Sequence, residues 1–361
     1  MNPKIRVIVC GVGFGQFYLK ALENLKENYE LTGILSRGSE WSKKCADKYK
    51  VPLYLDVNEL TKEMVDLVCV VVKSTLVGGE GSIIVEKLLE KGINVIQEHP
   101  IHEEDYIKFI KMAQKHKCIY RLNTFYPDLI NVSSYINLSN GLRKYSNIKC
   151  INAECSVHVL FPLMDILGRV IGKLRPWKFE KVENTLINSP FSIVQGYIGD
   201  VPVCINIQNE FEPEDPENSI LLFHRIVVYT ECGNLIMTGT NSNIIWEPSM
   251  NKKVGEDGFF HAEEDSEFLD LFIYEMENNS EGKTLKQMYL EVWPDSIKIF
   301  LNRFYEDYIH HINRNKEVQF LLGACQAWRD LGKCIGSTKM IGKYKKIPLK
   351  LENLNVKEEL F

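Results

Sequence analysis

The chain has 361 residues, of which 45% are hydrophobic and 25% charged, and a formal net charge of −5 at pH 7. That length suits two cores, on a prior of roughly 100–200 residues per domain, and the acidic balance gives no general reason to expect nucleic acid or an anionic membrane as partner. No apolar run approaches the roughly 20 residues of a membrane span, no secretory signal precedes the first strand, and the ten cysteines form no CxxC pair, so reduced thiols in a cytoplasmic protein are expected, with no metal site.

The first element is the most informative. Ile5-Arg6-Val7-Ile8-Val9-Cys10 is apolar and rich in β-branched residues, and it runs into Gly11-Val12-Gly13-Phe14-Gly15-Gln16. Phe17, Leu19, Ala21, Leu22 and Leu25 then supply the apolar positions of a helix. Strand, glycine turn and helix in that order form the phosphate-binding opening of a dinucleotide fold, in which glycines admit the pyrophosphate and the helix N-terminus offers free N–H groups. Gly11, Gly13, Phe14 and Gly15 are therefore assigned to a nucleotide cofactor. The usual fingerprint has its third glycine where this chain has Gln16, with Gly15 one place early.

The alternation continues with a strand at 31–35, a helix at 40–48, a short strand at 51–54 and a nearly unbroken apolar run at 65–72. The last is the pattern of a strand buried on both faces of a parallel sheet. A helix over 82–91, a strand over 93–96, a helix over 103–116 and a strand over 118–120 complete a doubly wound parallel sheet. The strand at 31–35 ends in Ser36-Arg37-Gly38-Ser39, with no carboxylate before Glu40. An NAD site usually places an acid there, whereas a guanidinium suits a 2′-phosphate, so NADPH is expected with Ser36 and Arg37 as its contacts. Ser74 and Thr75, just past the apolar run, are assigned to the same cofactor.

Beyond residue 125 the texture changes. A helix near 129–145 leads into β-rich runs at 148–160, 179–186, 193–198, 201–209 and 221–230, with hairpin turns at Gly199-Asp200 and Gly233-Asn234. Helices are predicted over 267–278, 295–313 and 318–331. The reading is an α/β protein: a dinucleotide-binding domain over 1–124, then an α+β domain over 125–361 with an open-faced mixed or antiparallel sheet, and a cleft where they meet.

These features resemble the Gfo/Idh/MocA oxidoreductases, which pair a Rossmann domain with an open-faced sheet. The second landmark is Gln97-Glu98-His99-Pro100; most of that superfamily has Glu-Lys-Pro there, so His99 stands where a lysine is usual. The superfamily's Asp-x-x-x-His motif is also absent from the counterpart stretch 160–169. Both departures make a sugar or inositol dehydrogenase less apt. They match the thiazolinyl imine reductases of siderophore biosynthesis, to which GVGFGQFYLKAL, LVGGEGS at 76–82, QEHPIH at 97–102, LNTFYPDLI at 122–130, DPENS at 215–219, LLFHRIVVYTECGNL at 221–235 and ACQAWRDL at 324–331 are similar. The resemblance implies NADPH-dependent reduction of a thiazoline C=N bond to a thiazolidine, on a substrate held as a thioester by a carrier domain of a nonribosomal peptide synthetase. It also implies a homodimer.

Such a reduction needs a hydride from the cofactor, a proton for the ring nitrogen, and no metal. Tyr126, just past the last strand of the first sheet, is the first candidate acid, since a tyrosine with a reference pKa of about 10 is protonated at neutral pH. His99, at the C-terminal end of a parallel strand, either donates the proton itself or orients Tyr126. Glu98 is expected to fix backbone or nicotinamide ribose. His224 and Arg225 face either substrate or the back of the sheet, and His158, flanked by valines, reads as a satisfied histidine within the sheet. Two alternatives stay open: an NADP-dependent sugar or small-carbonyl dehydrogenase, and a dinucleotide-sensing regulator without chemistry.

Overall fold

The computed structural model describes residues 3–74, 78–183, 189–252, 254–261 and 267–354. Its first half follows the alternation of the sequence: β1 (Ile5–Cys10), α1 (Gly15–Glu23), β2 (Tyr29–Leu35), α2 (Glu40–Tyr49), β3 (Leu53–Tyr54), β4 (Leu67–Val70), α3 (Gly81–Glu90), β5 (Asn94–Glu98), α4 (Glu103–Lys115) and β6 (Tyr120–Asn123). The six strands pair in parallel in the order β3-β2-β1-β4-β5-β6. Every residue of β4 is fully buried, as a strand with helices on both faces must be. The strand order reverses between β1 and β4, and such a switch point opens a crevice at the carboxyl ends of the strands.

The second half runs α5 (Ile130–Leu142), β7 (Ile148–Ser156), α6 (Leu160–Ile171), β8 (Trp177–Lys181), β9 (Phe191–Ile198), β10 (Val201–Gln208), β11 (Glu210–Phe211), β12 (His224–Thr230), β13 (Gly233–Met237), β14 (Ile244–Pro248), β15 (Glu275–Glu277), α7 (Leu285–Gln287), α8 (Trp293–Ile309), α9 (Asn315–Ile335) and β16 (Lys339–Met340). Eight strands form a mixed sheet in the order β15-β14-β13-β12-β7-β10-β9-β8, antiparallel except where β7 meets β10. Ile151, Ala153, Val203, Ile205, Ile226 and Val228 are buried on one face, in the same core as Leu163, Ile166 and Leu167 of α6. The other face is open, with Asn152 and Arg225 exposed. A two-stranded ribbon of β11 and β16 lies apart.

The last two long helices turn back to the first sheet. Tyr29 of β2 donates its hydroxyl to the carbonyl of Leu301 in α8 at 2.7 Å, and Leu321 and Cys325 of α9 share a core with Tyr106 and Phe109 of α4. Asp307 takes ion pairs from Arg121 at 3.3 Å and Arg314 at 2.8 Å. The C-terminal helices thus brace the dinucleotide fold as well as the second sheet.

Three predicted elements differ. The strand expected over 148–160 stops at Ser156, because Val157–Val159 forms a 3-10 turn and Leu160 opens α6 with Pro162 in its first turn, a place where the missing N–H costs nothing. Instead of a helix, 267–278 holds turns and β15, whose Met276 pairs with Ile245 of β14; the run Phe268 to Tyr274 is rich in residues that favour strands. The second hairpin turns at Glu231-Cys232, two residues early, and Gly233 opens β13, where a Cβ would strike Trp246 and the carbonyl of Glu247. Residues 184–186 of the predicted run 179–186 lie outside the described residues. The ten cysteines are all free, and among the described residues no helix is long and apolar enough to cross a membrane.

Candidate active site

The glycine turn is shaped for close approach. Gly11 has φ of 92°, and a Cβ there would meet Val72 at 2.9 Å and the carbonyl of Val71 at 3.0 Å. Gly13 is exposed, with nothing within 4 Å of the place a Cβ would fill. Gly15 is buried against Val9 of β1, so the early glycine performs the helix–strand packing that the third fingerprint glycine usually allows. Gln16 points outward and donates to the Gly13 carbonyl at 3.0 Å. Helix α1 has no acid in its first turn and no side-chain cap, and among the described residues the amides of Val12, Gly13 and Phe14 donate to no protein acceptor. Unpaired donors at a helix N-terminus suit a pyrophosphate. The Phe14 side chain instead packs edge-on to Phe125, with centroids 5.2 Å apart, and against Trp293.

At the end of β2, Ser36 accepts the Gly38 amide at 3.2 Å, and Arg37 is exposed with no acidic partner among the described residues. These features fit a dinucleotide whose ribose end carries a phosphate. Ser74 is buried and donates to the Pro100 carbonyl at 2.9 Å, tying the loop after β4 to the turn after β5. Thr75 lies outside the described residues.

Tyr126 is presented by an unusual backbone. Phe125 has φ 60° and ψ −59°, and the Tyr126 amide reaches the Thr124 carbonyl at 2.6 Å, which makes a γ-turn of the strained kind. Such a conformation costs about 1–3 kcal/mol and persists only where its surroundings over-determine it. They do so here: Asn123 Oδ1 accepts the Phe125 amide at 2.9 Å, Ser296 donates to the Phe125 carbonyl at 3.0 Å, and the Phe125 ring is wedged between Phe14 and Trp293. Tyr126 is 7% exposed, and its hydroxyl has no hydrogen-bond partner among the described residues. Burial, with Glu98 nearby, pushes its pKa well up, so the proton stays on the oxygen until a basic acceptor arrives.

His99 stands beside it, the two ring centroids 5.9 Å apart and edge-on. Its Nδ1 lies 2.8 Å from Glu98 Oε1 and 3.3 Å from the Asn123 carbonyl. The ring stacks on Phe161 of α6 at 5.8 Å, and Nε2 hydrogen-bonds to no described residue. Glu98 pairs with His99, and its Oε2 accepts the Tyr18 hydroxyl at 2.5 Å and the Asn123 amide at 3.2 Å. Tyr18 was missed among the apolar positions of α1, although its hydroxyl on that face is a signal in itself. His224 closes the group from the other side, its ring edge-on to Tyr126 at 4.9 Å. Fully buried, it donates from Nε2 to the Val159 carbonyl at 2.9 Å and accepts from Thr240 at 3.1 Å. Burial pushes its pKa down to about 4, so the ring is neutral and packs Tyr126 in place.

Other candidates fall away from this group. Asp165, the acid of the counterpart stretch 160–169, is fully buried and engaged by Thr124 and Arg169, both at 2.5 Å. His158 is not within the sheet but in the 3-10 turn after β7. Arg225 pairs with Glu154 on the open face at 3.1 Å. Asn218 and Asp215 hold each other at 2.8 Å in a surface loop, and Trp177, Trp246, Trp293 and Trp328 pack against the core.

Comparison with known proteins finds a match for each half of the chain. Residues 5–124 match the Gfo/Idh/MocA model, described as an oxidoreductase family with an NAD-binding Rossmann fold. Residues 146–247 match a model described as thiazolinyl imine reductase Irp3-like, C-terminal. No protein of curated function matches the chain. Among solved structures, an oxidoreductase from Thermotoga maritima is similar with a TM-score of 0.64 and 15% identity, over 93% of this chain and 97% of that one. UDP-N-acetylglucosamine 3-dehydrogenase GnnA from Acidithiobacillus ferrooxidans gives 0.60 and 12%, over 91% and 97%. An oxidoreductase from Agrobacterium radiobacter in complex with NAD+, L-tartaric acid and magnesium gives 0.64 and 8%, over 91% and 95%. At such identities the likeness concerns the fold.

Proposed function

Starting from an oxidoreductase of the Gfo/Idh/MocA superfamily with an Irp3-like C-terminal region, we propose that the protein reduces the C=N bond of a thiazoline ring to a thiazolidine with NADPH. The observation that carries this reading is the convergence of Tyr126 and His99 at the carboxyl ends of the parallel strands, where a lysine or an Asp-x-x-x-His pair would serve alcohol chemistry.

A bound nicotinamide would supply a hydride to the ring carbon, so that the C=N double bond becomes a C–N single bond with one new C–H and one new N–H bond. The chain's own residues supply the proton and the position. Gly11, Gly13 and the free amides at the start of α1 hold the pyrophosphate, and Arg37 with Ser36 holds the 2′-phosphate. Tyr126 keeps its proton in the buried site and gives it to the ring nitrogen as that nitrogen gains electron density. His99, its Nδ1 anchored by Glu98, presents Nε2 as the group that orients Tyr126 or replaces its proton. The substrate is carried as a thioester by a carrier domain, and two copies of the chain pair through the open face of the eight-stranded sheet.

The test is NADPH consumption with a soluble aryl-thiazoline thioester, the product being checked by mass for two added hydrogens. NADH and a panel of sugars serve as controls. Thiazolidine formed with NADPH establishes the reaction; turnover of sugars with NADP+ replaces it with a dehydrogenase.

A further inference from the structure

The turn that presents Tyr126 is tied at both ends to ion pairs that the proton transfer does not use. At its start, Thr124 donates its hydroxyl to Asp165 of α6 at 2.5 Å. The Asp165 carboxylate is fully buried and accepts Arg169, one helical turn on, from Nε at 2.5 Å and from Nη2 at 3.5 Å. That guanidinium lies over the Phe320 ring of α9, 5.2 Å from its centroid. At the other end, Asp128 accepts both terminal nitrogens of Arg303 in α8, at 2.5 Å and 2.7 Å, and its amide donates to the Phe125 carbonyl at 3.2 Å.

Tyr126 itself has no such tie. Among the described residues its hydroxyl has no hydrogen bond, and its ring rests edge-on against His224 and His99. The backbone that carries the ring therefore sets where the phenol oxygen stands. That backbone is strained at Phe125, and the Tyr126 amide is held by the carbonyl of Thr124. A cavity of about 170 Å³, lined by Thr124, Pro127, Asp128, Arg169, Arg303 and Glu317, borders the turn and gives it room to relax once released. A buried ion pair adds little net stability over apolar packing, whereas its charge-assisted bonds are short and directional. The contribution of Asp165 and Arg169 is therefore to geometry.

Resting on the reductase reading above, we propose that Thr124, oriented by the Asp165–Arg169 pair, is a positioning residue that sets the Tyr126 hydroxyl at the ring nitrogen of the substrate. Asp165 and Arg169 act on the reaction through Thr124, from behind the turn.

The test compares Thr124→Ala, which removes the hydroxyl, with Thr124→Ser, which keeps it and loses only the methyl. Small displacements of a reacting group cost large factors in rate, so kcat with NADPH and the aryl-thiazoline thioester should fall by about tenfold to a hundredfold in Thr124→Ala. The KM for NADPH should be unchanged, and Thr124→Ser should stay close to the parent. Built into Tyr126→Phe, Thr124→Ala should cost nothing further, because it acts only through the phenol it positions. Parent-like turnover in Thr124→Ala, or the same loss with and without the Tyr126 hydroxyl, overturns the proposal. Thr124→Cys, whose thiol is a weak donor, takes the place of Thr124→Ala if the latter does not fold.

Amide hydrogen exchange at Tyr126, in protein carrying isotope-labelled tyrosine, reads the turn with no substrate present. It should quicken by about tenfold or more in Thr124→Ala and not in Thr124→Ser, since a bond to a charged group is lost only in the first. Equal rates in parent and both variants overturn the proposal whatever the turnover. A parent that binds NADPH and leaves the thiazoline unreduced sinks the reductase reading, and the exchange rates then decide the clamp on their own.

Discussion

Tyr18 of α1 donates its hydroxyl to Glu98 of β5 at 2.5 Å, across 80 residues of sequence. The helix that follows the pyrophosphate turn is thereby fastened to the carboxylate that holds His99. Tyr18→Phe leaves Glu98 Oε2 with only the Asn123 amide, at 3.2 Å. A buried acceptor that loses a partner costs about 1–3 kcal/mol, so denaturant melts should show a loss in that range. Tyr18 is a positioning residue, and its effect on function should appear as a lower kcat with the KM for NADPH unchanged. A melt that shifts while kcat stays put would make Tyr18 purely structural.

The Tyr126 hydroxyl forms no hydrogen bond among the described residues, so Tyr126→Phe leaves no orphaned partner and should fold like the parent. If Tyr126 is the sole general acid, kcat should fall by roughly 10²–10⁴, with NADPH binding intact. Steady-state kinetics beside a thermal melt reads both. Retained activity in Tyr126→Phe together with loss in His99→Ala would transfer the proton to His99.

Much of this was legible in the sequence, for identifiable reasons. Strands buried on both faces leave unbroken apolar runs, so β1 and β4 stood out, and residues just past strand ends, Tyr126 and His99, are where α/β sheets place their chemistry. Partners brought together by the fold left no such trace. His224 meets Tyr126 only because β12 lies beside β7 and the Val159 carbonyl captures its Nε2. Val157-His158-Val159 alternates like a strand, and only the helix start at Leu160 bends it out of the sheet. The strained γ-turn at Phe125 is held by Asn123, Ser296 and Trp293, of which the last two come from far along the chain, Ser296 171 residues further on.

The glycines of the turn should separate stability from cofactor binding. At Gly13 a methyl meets nothing, so Gly13→Ala should leave the melting temperature unchanged or slightly higher, since alanine restricts the unfolded chain. The same methyl stands where the pyrophosphate would approach the backbone, and NADPH affinity should drop by about tenfold or more. Gly11→Ala places a Cβ at positive φ and against Val72, and should cost about 1–3 kcal/mol. Arg37→Ala, at an exposed residue with no acidic partner among the described residues, should weaken NADPH by about tenfold while barely affecting NADH. Fluorescence titration with both dinucleotides checks all three, and equal losses for NADH and NADPH in Arg37→Ala would remove the 2′-phosphate contact.

His224 makes stability depend on pH in a defined window. Its folded pKa is pushed down to about 4 from the ordinary 6.5. Above pH 6.5 both folded and unfolded forms are neutral there. Between 6.5 and 4 the unfolded chain takes up a proton that the folded chain refuses, so stability falls as the pH falls. Below about 4 both forms are protonated and the effect is complete. A shift of that size corresponds to about 3 kcal/mol for a fully buried ring. His158, also held below its ordinary value by burial and by Lys73, acts in the same direction. His224→Gln retains a donor for the Val159 carbonyl and removes the titration. Urea melts from pH 7 to pH 4 should therefore show a shallower decline in His224→Gln than in the parent, the gap closing as the pH drops. Parallel curves would mean that His224 is not the group that refuses the proton.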